Sequence, residues 1–313
     1  MRGKRTSQGY PAFPRSLGEF QRRFATEQAC RNYVVGVRWP EGFECSWCGH
    51  RAAWEMGLRR FRCRKCRKDI WITAGTVLQG SHLPLRYWFW AVYFMSTLTP
   101  GISALQLMKQ LGIGSYRTAL YLCRRLRRAM VNPLRESLKG VVEVDDTYVG
   151  GPGKKHPGRY LGKKVPVVVA VENRGDHTGR IRLGVVPDVT QASLHPFICK
   201  NIAYGSQINT DGWDGYWGLE AYGFKHRPKV QGLPKRAAKI LPWVHRVIGN
   251  LKTWLRGTHH GVGSEHLQDY LDEFTFRFNR RHYREHAFLS LLILATKIKP
   301  LPQGQRLLGV PSA

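Results

Sequence analysis

Acidic residues are scarce in this 313-residue sequence: 21 Asp and Glu stand against 50 Lys and Arg, which gives a formal charge of +29. So large a positive charge argues against an ordinary small-molecule enzyme and favours an anionic partner, nucleic acid first and an anionic membrane surface second. The chain is nevertheless 42% hydrophobic and 12% aromatic, which is too apolar for a disordered polycation. We therefore expect two or three folded domains with a basic surface.

Long apolar runs are also missing. The longest, residues 87–95 and 287–296, fall short of the roughly 20 residues that a bilayer-spanning helix needs. The basic start, MRGKRTSQGY, is followed by no apolar segment of the kind that secretory signals contain. We expect a protein of the reducing cytoplasm, associated with the nucleoid, in which disulfides are disfavoured.

Four of the seven cysteines form two C-x-x-C turns separated by fourteen residues: Cys45, Cys48, Cys63 and Cys66. Two such turns complete the tetrahedral four-sulfur set that Zn²⁺ prefers in structural sites. A redox pair is the alternative, but no thioredoxin-like βαβ pattern surrounds these turns. We predict a zinc ribbon whose folding energy comes from the metal. The remaining cysteines are expected to be small buried side chains: Cys30, Cys123 and Cys199.

A basic surface is predicted around the cysteine turns. Residues 51–68 contain eight Lys and Arg and a single acid, Glu55. This density is typical of a surface that contacts phosphates, and we expect Arg64 and Lys65, inside the second turn, to bind DNA. A basic face that is merely solvated is the alternative.

Two helices are predicted on either side of Gly112-Ile113-Gly114. Residues 102–130 carry apolar side chains at helical spacing on both sides of this turn, and Ser115 is suited to cap the second helix. That helix holds Arg117, Arg124, Arg125, Arg127 and Arg128. The pattern is typical of a DNA-binding helix-turn-helix, with Arg117, Arg124 and Arg125 as expected DNA contacts, although any two-helix hairpin would give the same pattern.

Beyond Pro133 the apolar period changes from helical to extended. Three β-branched runs, VVEVDDTYV, KVPVVVAVEN and GRIRLGVVPDV, predict three antiparallel strands. A helix over residues 190–202, a short strand ending at Asp211, a basic segment and two helices beginning at Pro242 and near residue 264 follow. This order is that of the ribonuclease-H-like fold. The predicted class is therefore multidomain α+β: a zinc ribbon, a helix-turn-helix-like segment and a ribonuclease-H-like α/β catalytic domain.

Two aspartates stand where predicted strands end. Asp145 lies late in the first strand and Asp211 closes the fourth. If these strands are neighbours, both carboxylates meet at one edge and can share Mg²⁺ or Mn²⁺, as in phosphoryl-transfer sites with ions ~3.5–4 Å apart. Alternation puts Glu143 and Asp145 on one face and Asp146 on the other, so the strand alone does not choose among them. Ordinary strand-end turn residues are the alternative.

Four segments taken together resemble a known family. They are FRCRKCRKDIWITAGTVLQGSHLPLRYWFWAVYFM, VEVDDTYVGG, NTDGWDGY, and LKTWLRGTHHGV with HLQDYLDEFTFRFNRR after it. In this order they resemble the ISXO-type group of DDE-type insertion-sequence transposases, in which a zinc ribbon precedes a ribonuclease-H-like integrase domain. The resemblance extends from the ribbon to about residue 290 and implies that Asp145 and Asp211 are the first two catalytic residues.

The third catalytic position departs from the Glu or Asn that is common in the family. Residues 242–256 contain no acid. His245 stands there, separated from Asp211 by 33 residues, with Lys252 seven residues further on and on the same helix face. The resemblance implies that His245 is a metal ligand beside the two aspartates, or a base that orients water. It also implies that Lys252 binds DNA phosphate. A structural histidine and a solvated lysine are the alternatives.

The resemblance implies a transposase that binds the inverted repeats of its own element, cuts the strands with Mg²⁺ or Mn²⁺, and joins them to target DNA. It also implies a structural Zn²⁺ and a homo-oligomer on DNA, because two ends must be held at once. Composition and spacing alone support only a metal-dependent enzyme that acts on DNA. A nuclease or resolvase without strand transfer is one alternative, and a domesticated, non-catalytic regulator is the other.

The expected organisation has five parts. They are a basic arm (1–25), the zinc ribbon (26–80), the helix-turn-helix-like segment (81–135), the catalytic domain (136–290) and a tail (291–313).

Overall fold

The structure, a computed structural model, describes residues 13–150, 164–229 and 240–300. They fall into two compact units, one of residues 13–132 and 280–300 and the other of the described residues between 133 and 279. Parts of the predicted arm and tail, residues 1–12 and 301–313, lie outside the described residues. No helix in the described ranges combines the length and the apolar character that crossing a bilayer requires.

The first unit begins with two helices that are capped by hydroxyl side chains. The Ser16 hydroxyl accepts the N–H of Glu19, and the Thr26 hydroxyl accepts the N–H of Ala29, which satisfies amides that a helix start leaves free. The helices are α1 (Leu17–Arg23) and α2 (Glu27–Arg38). A three-stranded antiparallel sheet follows: β1 (Ala53–Glu55), β2 (Arg60–Cys63) and β3 (Asp69–Trp71).

Four further helices complete the described part of this unit. They are α3 (Leu85–Thr97), α4 (Ala104–Leu111), α5 (Tyr116–Ala129) and, from the end of the chain, α9 (Arg284–Lys297). Helix α9 packs on α2, α3 and α5, and its Phe288 joins an aromatic core with Phe24 and Phe89. The predicted boundary at residue 290 lies inside α9.

Helices α4 and α5 form the predicted helix, turn and helix. Helix α4 ends at Gly112, whose φ of 64° is left-handed, a conformation that glycine adopts without steric cost. The N–H of Ile113 donates to the carbonyl of Met108, which closes the turn. Ser115 is the N-cap of α5, but its side chain makes no capping hydrogen bond.

The second unit contains a five-stranded sheet in the order β6-β5-β4-β7-β8. The strands are β4 (Val141–Val149), β5 (Val165–Asn173), β6 (Thr178–Val185), β7 (Gln207–Thr210) and β8 (Lys225–Pro228). The first three are antiparallel, whereas β7 pairs in parallel with both β4 and β8. The first and fourth strands of this unit are therefore neighbours, as predicted.

Helices cover both faces of this sheet: α6 (Gln191–Asn201) on one, and α7 (Pro242–His259) with α8 (Leu267–Asn279) on the other. Val168 and Ala170 pack on the α6 side, while Val167 and Val169 pack on the α7 side. Because both faces are buried, β5 is apolar from Val165 to Val171 rather than alternating. The predicted α+β class is confirmed.

Candidate active site and metal centres

The four predicted zinc ligands converge. The sulfurs of Cys45, Cys48, Cys63 and Cys66 all lie within 4.8 Å of one another. The Cys45–Cys66 and Cys48–Cys63 sulfur pairs are each 3.6 Å apart. Four sulfurs about 2.3 Å from one Zn²⁺ would be about 3.8 Å apart, so the donor set fits a closed structural zinc site.

Both cysteine turns use the same backbone geometry. The N–H of Gly49 donates to the carbonyl of Cys45, and the N–H of Arg67 donates to the carbonyl of Cys63. Gly49 and Arg67 both have positive φ, 69° and 59°. Burial raises the pKa of the Cys63 thiol, but hydrogen bonds from the backbone of Cys66 and Lys65 and from neighbouring thiols outweigh it and lower the pKa to about 7. A lowered thiol pKa favours the thiolate that binds metal.

The basic residues of the ribbon divide into two groups. Arg59 pairs with Glu27 at 2.8 Å, and Arg62 pairs with Asp69 at 2.7 Å, so these guanidinium groups serve the fold. The cations of the second cysteine turn are exposed and include Arg64 and Lys65. The exposed part of the predicted basic surface therefore includes the second cysteine turn and the residues directly after it, which we call the tip of the ribbon.

Two exposed tryptophan rings contact several of these tip cations. Arg64 and Arg67 lie 5.5 and 4.6 Å from the ring centroid of Trp54, and the Lys68 ammonium lies 3.8 Å from that of Trp47. Cation–π contacts of this kind hold long side chains in place at the surface.

The arginines of α5 have different environments. Arg117 is exposed, Arg124 is half-buried, and Arg127 is fully buried. Arg125 donates to the carbonyls of Val77 and Gln79 at 3.0 and 2.7 Å, so it ties α5 to a neighbouring loop of the same unit. Their role in binding DNA stays a prediction.

Asp145 faces the helix that carries His245. Its Oδ2 lies 3.7 Å from Nδ1 of His245, and its Oδ1 accepts the N–H of Asp146. Asp146 points to the other face of β4, where the hydroxyl of Tyr216 donates to its Oδ1 at 3.4 Å. The structure therefore groups Asp145, not Asp146, with His245.

Asp211 reaches the same sheet edge through strand register. Parallel pairing aligns Glu143 of β4 with Asn209 of β7, and two further residues along both strands bring Asp145 level with Asp211. The N–H of Trp213 donates to Asp211 Oδ1 at 3.2 Å, which fixes the carboxylate at the strand end. Burial, followed by the charges of Asp146, Asp145 and Asp211, raises the pKa of Tyr216 well above its ordinary value.

His245 presents a nitrogen suited to a further ligand. Its Nε2 is buried and has no hydrogen-bond partner among the residues that the structure describes, which is costly unless another group occupies the site. An imidazole whose Nδ1 faces a carboxylate can ligate a metal through Nε2, but that carboxylate then orients the ligand and does not itself bind the same ion. In the described ranges only the four cysteine sulfurs form a set of ligand atoms that all lie within 4.8 Å of one another, so the structure brings Asp145 and His245 together but does not assemble a closed donor set with Asp211.

Lys252 lies two turns beyond His245 on α7 and is half-buried. Burial, followed by the positive charges of Arg256 and Lys164, lowers the pKa of Lys252, while the charge of Asp145 raises it. Lys252 is thus placed on the same side of the sheet as Asp145, with two further cations near it.

Glu143 has a role that sequence analysis missed. It is fully buried; its Oε2 accepts the N–H groups of Trp243 and Val244 at 2.9 and 3.0 Å, and its Oε1 accepts Asn173 Nδ2 at 3.0 Å. Glu143 therefore caps the start of α7, where the N-cap residue Leu241 makes no side-chain bond. The one signal in the sequence was that α7 lacks a capping residue of its own.

Comparison with known proteins bears directly on this arrangement. Residues 137–279 match the ISXO2-like transposase domain, and residues 25–69 match the transposase zinc-ribbon domain. Two regions of this chain are similar to the two domains of ISXO-type insertion-sequence transposases. The resemblance inferred from the four sequence segments is confirmed.

A relative from Halobacterium salinarum supports this resemblance. It is described as an uncharacterized protein in transposable element ISH50, and it is 26% identical over 276 residues, which cover 81% of this chain and 91% of the relative. In the present chain, the match to the transposase domain spans Asp145, Asp211, His245 and Lys252, and the match to the zinc ribbon spans all four clustered cysteines.

Proposed function

We propose that this transposase binds the terminal inverted repeats of its own element and catalyses metal-dependent cleavage and strand transfer at Asp145, Asp211 and His245. One observation supports the proposal: His245 Nδ1 lies 3.7 Å from Asp145, on a strand whose parallel register with β7, continued two residues past the Glu143–Asn209 pair, leads to Asp211. The enzyme would act in the cytoplasm, as a homo-oligomer that holds two DNA ends. The five predicted parts of the chain belong to this proposal.

The three residues divide the work according to their chemistry. Asp145 and Asp211 would hold Mg²⁺ or Mn²⁺ through oxygen ligands, which these hard cations prefer. Bound divalent ions activate the attacking hydroxyl and stabilise the leaving oxygen in phosphoryl transfer. His245 would complete the set through Nδ1, the nitrogen that faces Asp145 at 3.7 Å, and Lys252 would bind a DNA phosphate beside it. Arg64, Lys65, Arg117, Arg124 and Arg125 are the proposed DNA contacts outside this site.

A strand-transfer assay tests the proposal. A labelled duplex that ends in the terminal repeat, already cut at the 3′ end, is incubated with target DNA, with and without Mg²⁺ or Mn²⁺. We expect joined products only with metal. Hydrolysis of uncut ends without any joining would instead identify a nuclease, and repeat binding without chemistry would identify a regulator.

Variants assign the chemistry to residues. Asp145→Ala and Asp211→Ala should abolish cleavage and joining while repeat binding stays nearly intact. Asp146→Asn is the matched control on the neighbouring position of β4, and it should retain activity because Asp146 faces Tyr216. Full activity in Asp145→Ala with loss in Asp146→Asn would overturn the choice of Asp145.

A further inference from the structure

A cavity of about 650 Å³ opens in the second unit between the end of β4 and the C-terminal half of α7. It adjoins the acidic site, because its lining residues Tyr148 and Lys252 follow Asp145 on β4 and His245 on α7, the two residues that face each other at 3.7 Å. We call it the basic cavity. Its described lining residues include Lys164, Arg256 and His260 besides Lys252, and none of those residues is acidic.

The other walls of the basic cavity are apolar. They include Tyr148, Val149, Leu255 and Val262. Cations beside aromatic and apolar side chains suit a nucleic-acid strand, whose phosphates need positive charge and whose sugars and bases need an apolar surface. The volume lies in the range of about 300–1,000 Å³ in which ligand pockets fall, and is more than a lone phosphate fills.

The spacing of the cations agrees with a strand. Lys252 and Arg256 are one helical turn apart on α7, about 6 Å along its axis at 1.5 Å per residue. Each strand of a duplex advances about 3.4 Å along the duplex axis per phosphate, so the separation of this pair corresponds to about two nucleotide steps. Lys164, directly before β5, contributes a third positive charge to the cavity, and this charge lowers the pKa of Lys252.

A cluster of like charges without a carboxylate among its described lining residues favours the binding of an anion, which offsets the mutual repulsion of the cations. We infer that the basic cavity binds about two nucleotides of the DNA strand next to the phosphate at which Asp145 acts, with Arg256 and Lys164 on the phosphates. The inference rests on the proposed function and adds two contacts, Arg256 and Lys164, to it.

Phosphate neutralisation tests the inference through binding rather than chemistry. Duplexes that end in the terminal repeat carry one neutral methylphosphonate each, moved stepwise along the strand from the cleavage position. Their affinities for the full-length protein are measured by fluorescence anisotropy without Mg²⁺ or Mn²⁺. For the wild-type protein, we expect neutralisation at one or two adjacent positions beside the cleavage site to weaken binding about tenfold, as for loss of a charge-assisted contact.

The variant Arg256→Gln decides whether that phosphate is held in the cavity. It should bind the unmodified repeat about tenfold more weakly and lose sensitivity to the methylphosphonate at the same position, since the partner is already absent. Arg227→Gln, an exposed arginine on β8 of the same unit, is the matched control and should keep the wild-type sensitivity. Lys164→Gln, outside any helix, repeats the test at a second position should Arg256→Gln fold poorly.

Opposite results overturn the inference. If methylphosphonate effects in Arg256→Gln and Lys164→Gln equal those in the wild-type protein at every position, the cavity does not hold this strand. This failure is distinct from failure of the proposed function, in which the wild-type protein would show no preference for the repeat over unrelated duplex DNA.

Discussion

At the scale of single residues, His245 is the most informative position. It stands where the family resemblance implies Glu or Asn, lies 3.7 Å from Asp145 and has an Nε2 without a described partner. We expect His245→Ala to slow cleavage by about 10²–10⁴-fold, the range that a lost acid–base or ligand group gives. His245→Glu should retain part of the activity with Mg²⁺, because it restores an oxygen ligand. Rates of end cleavage measure both.

The control for this experiment is His177→Ala. His177 is exposed in the turn between β5 and β6, beside Asp176, and its loss should leave cleavage unchanged. Wild-type rates in His245→Ala would remove His245 from the site and leave a centre built on the two aspartates alone.

At the scale of elements, Glu143 couples β4 to α7. Glu143→Ala would leave two helix-start amides and one side-chain amide without their acceptor, which costs about 3 kcal/mol for buried groups of this kind. For a unit of this size we expect the melting temperature to fall by roughly 6–12 °C. Differential scanning calorimetry checks the shift, and Glu143→Gln, which keeps one acceptor oxygen, should lose less.

Glu143 also positions the catalytic helix, and a second measurement separates that role from stability. Because the Glu143 carboxylate holds the first turn of α7, and His245 lies in that same turn, Glu143→Ala should raise the Mn²⁺ concentration for half-maximal cleavage, measured well below the melting temperature. An unchanged Mn²⁺ requirement in a folded variant would reduce Glu143 to a purely structural group.

The zinc ribbon is a second element with a sharp test. We expect one Zn²⁺ per chain in the purified protein, and loss of most of it in Cys63→Ser, because three thiolates make an incomplete tetrahedral set. Elemental analysis measures the metal. Cys199→Ser, in the other unit, should keep full occupancy; full occupancy in Cys63→Ser would contradict the zinc assignment.

At the scale of the whole molecule, the charge of +29 governs DNA affinity. Binding should fall steeply with salt, because each neutralised phosphate releases counterions and contributes about −0.9 to the slope of log K against log salt. Joint replacement of Arg64 and Lys65 by Ala should make the slope shallower by about 2. The loss should be equal for repeat and mixed-sequence duplexes, as expected for phosphate contacts. Titrations from low to physiological salt check this, and a flat dependence would refute it.

Local spacing in the sequence determined a large part of this protein. The C-x-x-C turns specified the zinc ligands, because four cysteines on two short turns have few other ways to arrange themselves. The change from helical to extended periodicity indicated the order of strands and helices. Asp211 directly follows β7, as predicted, whereas Asp145 lies in the middle of β4 and not late in it. The two strands are neighbours, which is the condition under which we expected the aspartates to meet.

Tertiary structure decided what depends on contacts between distant segments. Both faces of β4 are covered by other elements. Asp145 lies on the face where it contacts His245, 100 residues later in the chain, whereas Asp146 lies on the opposite face and contacts Tyr216. Likewise Arg125 binds carbonyls of its own unit, and Glu143 caps a helix that begins about 100 residues later. Periodicity assigns a side chain to a face, but the partner on that face is set by how the elements pack.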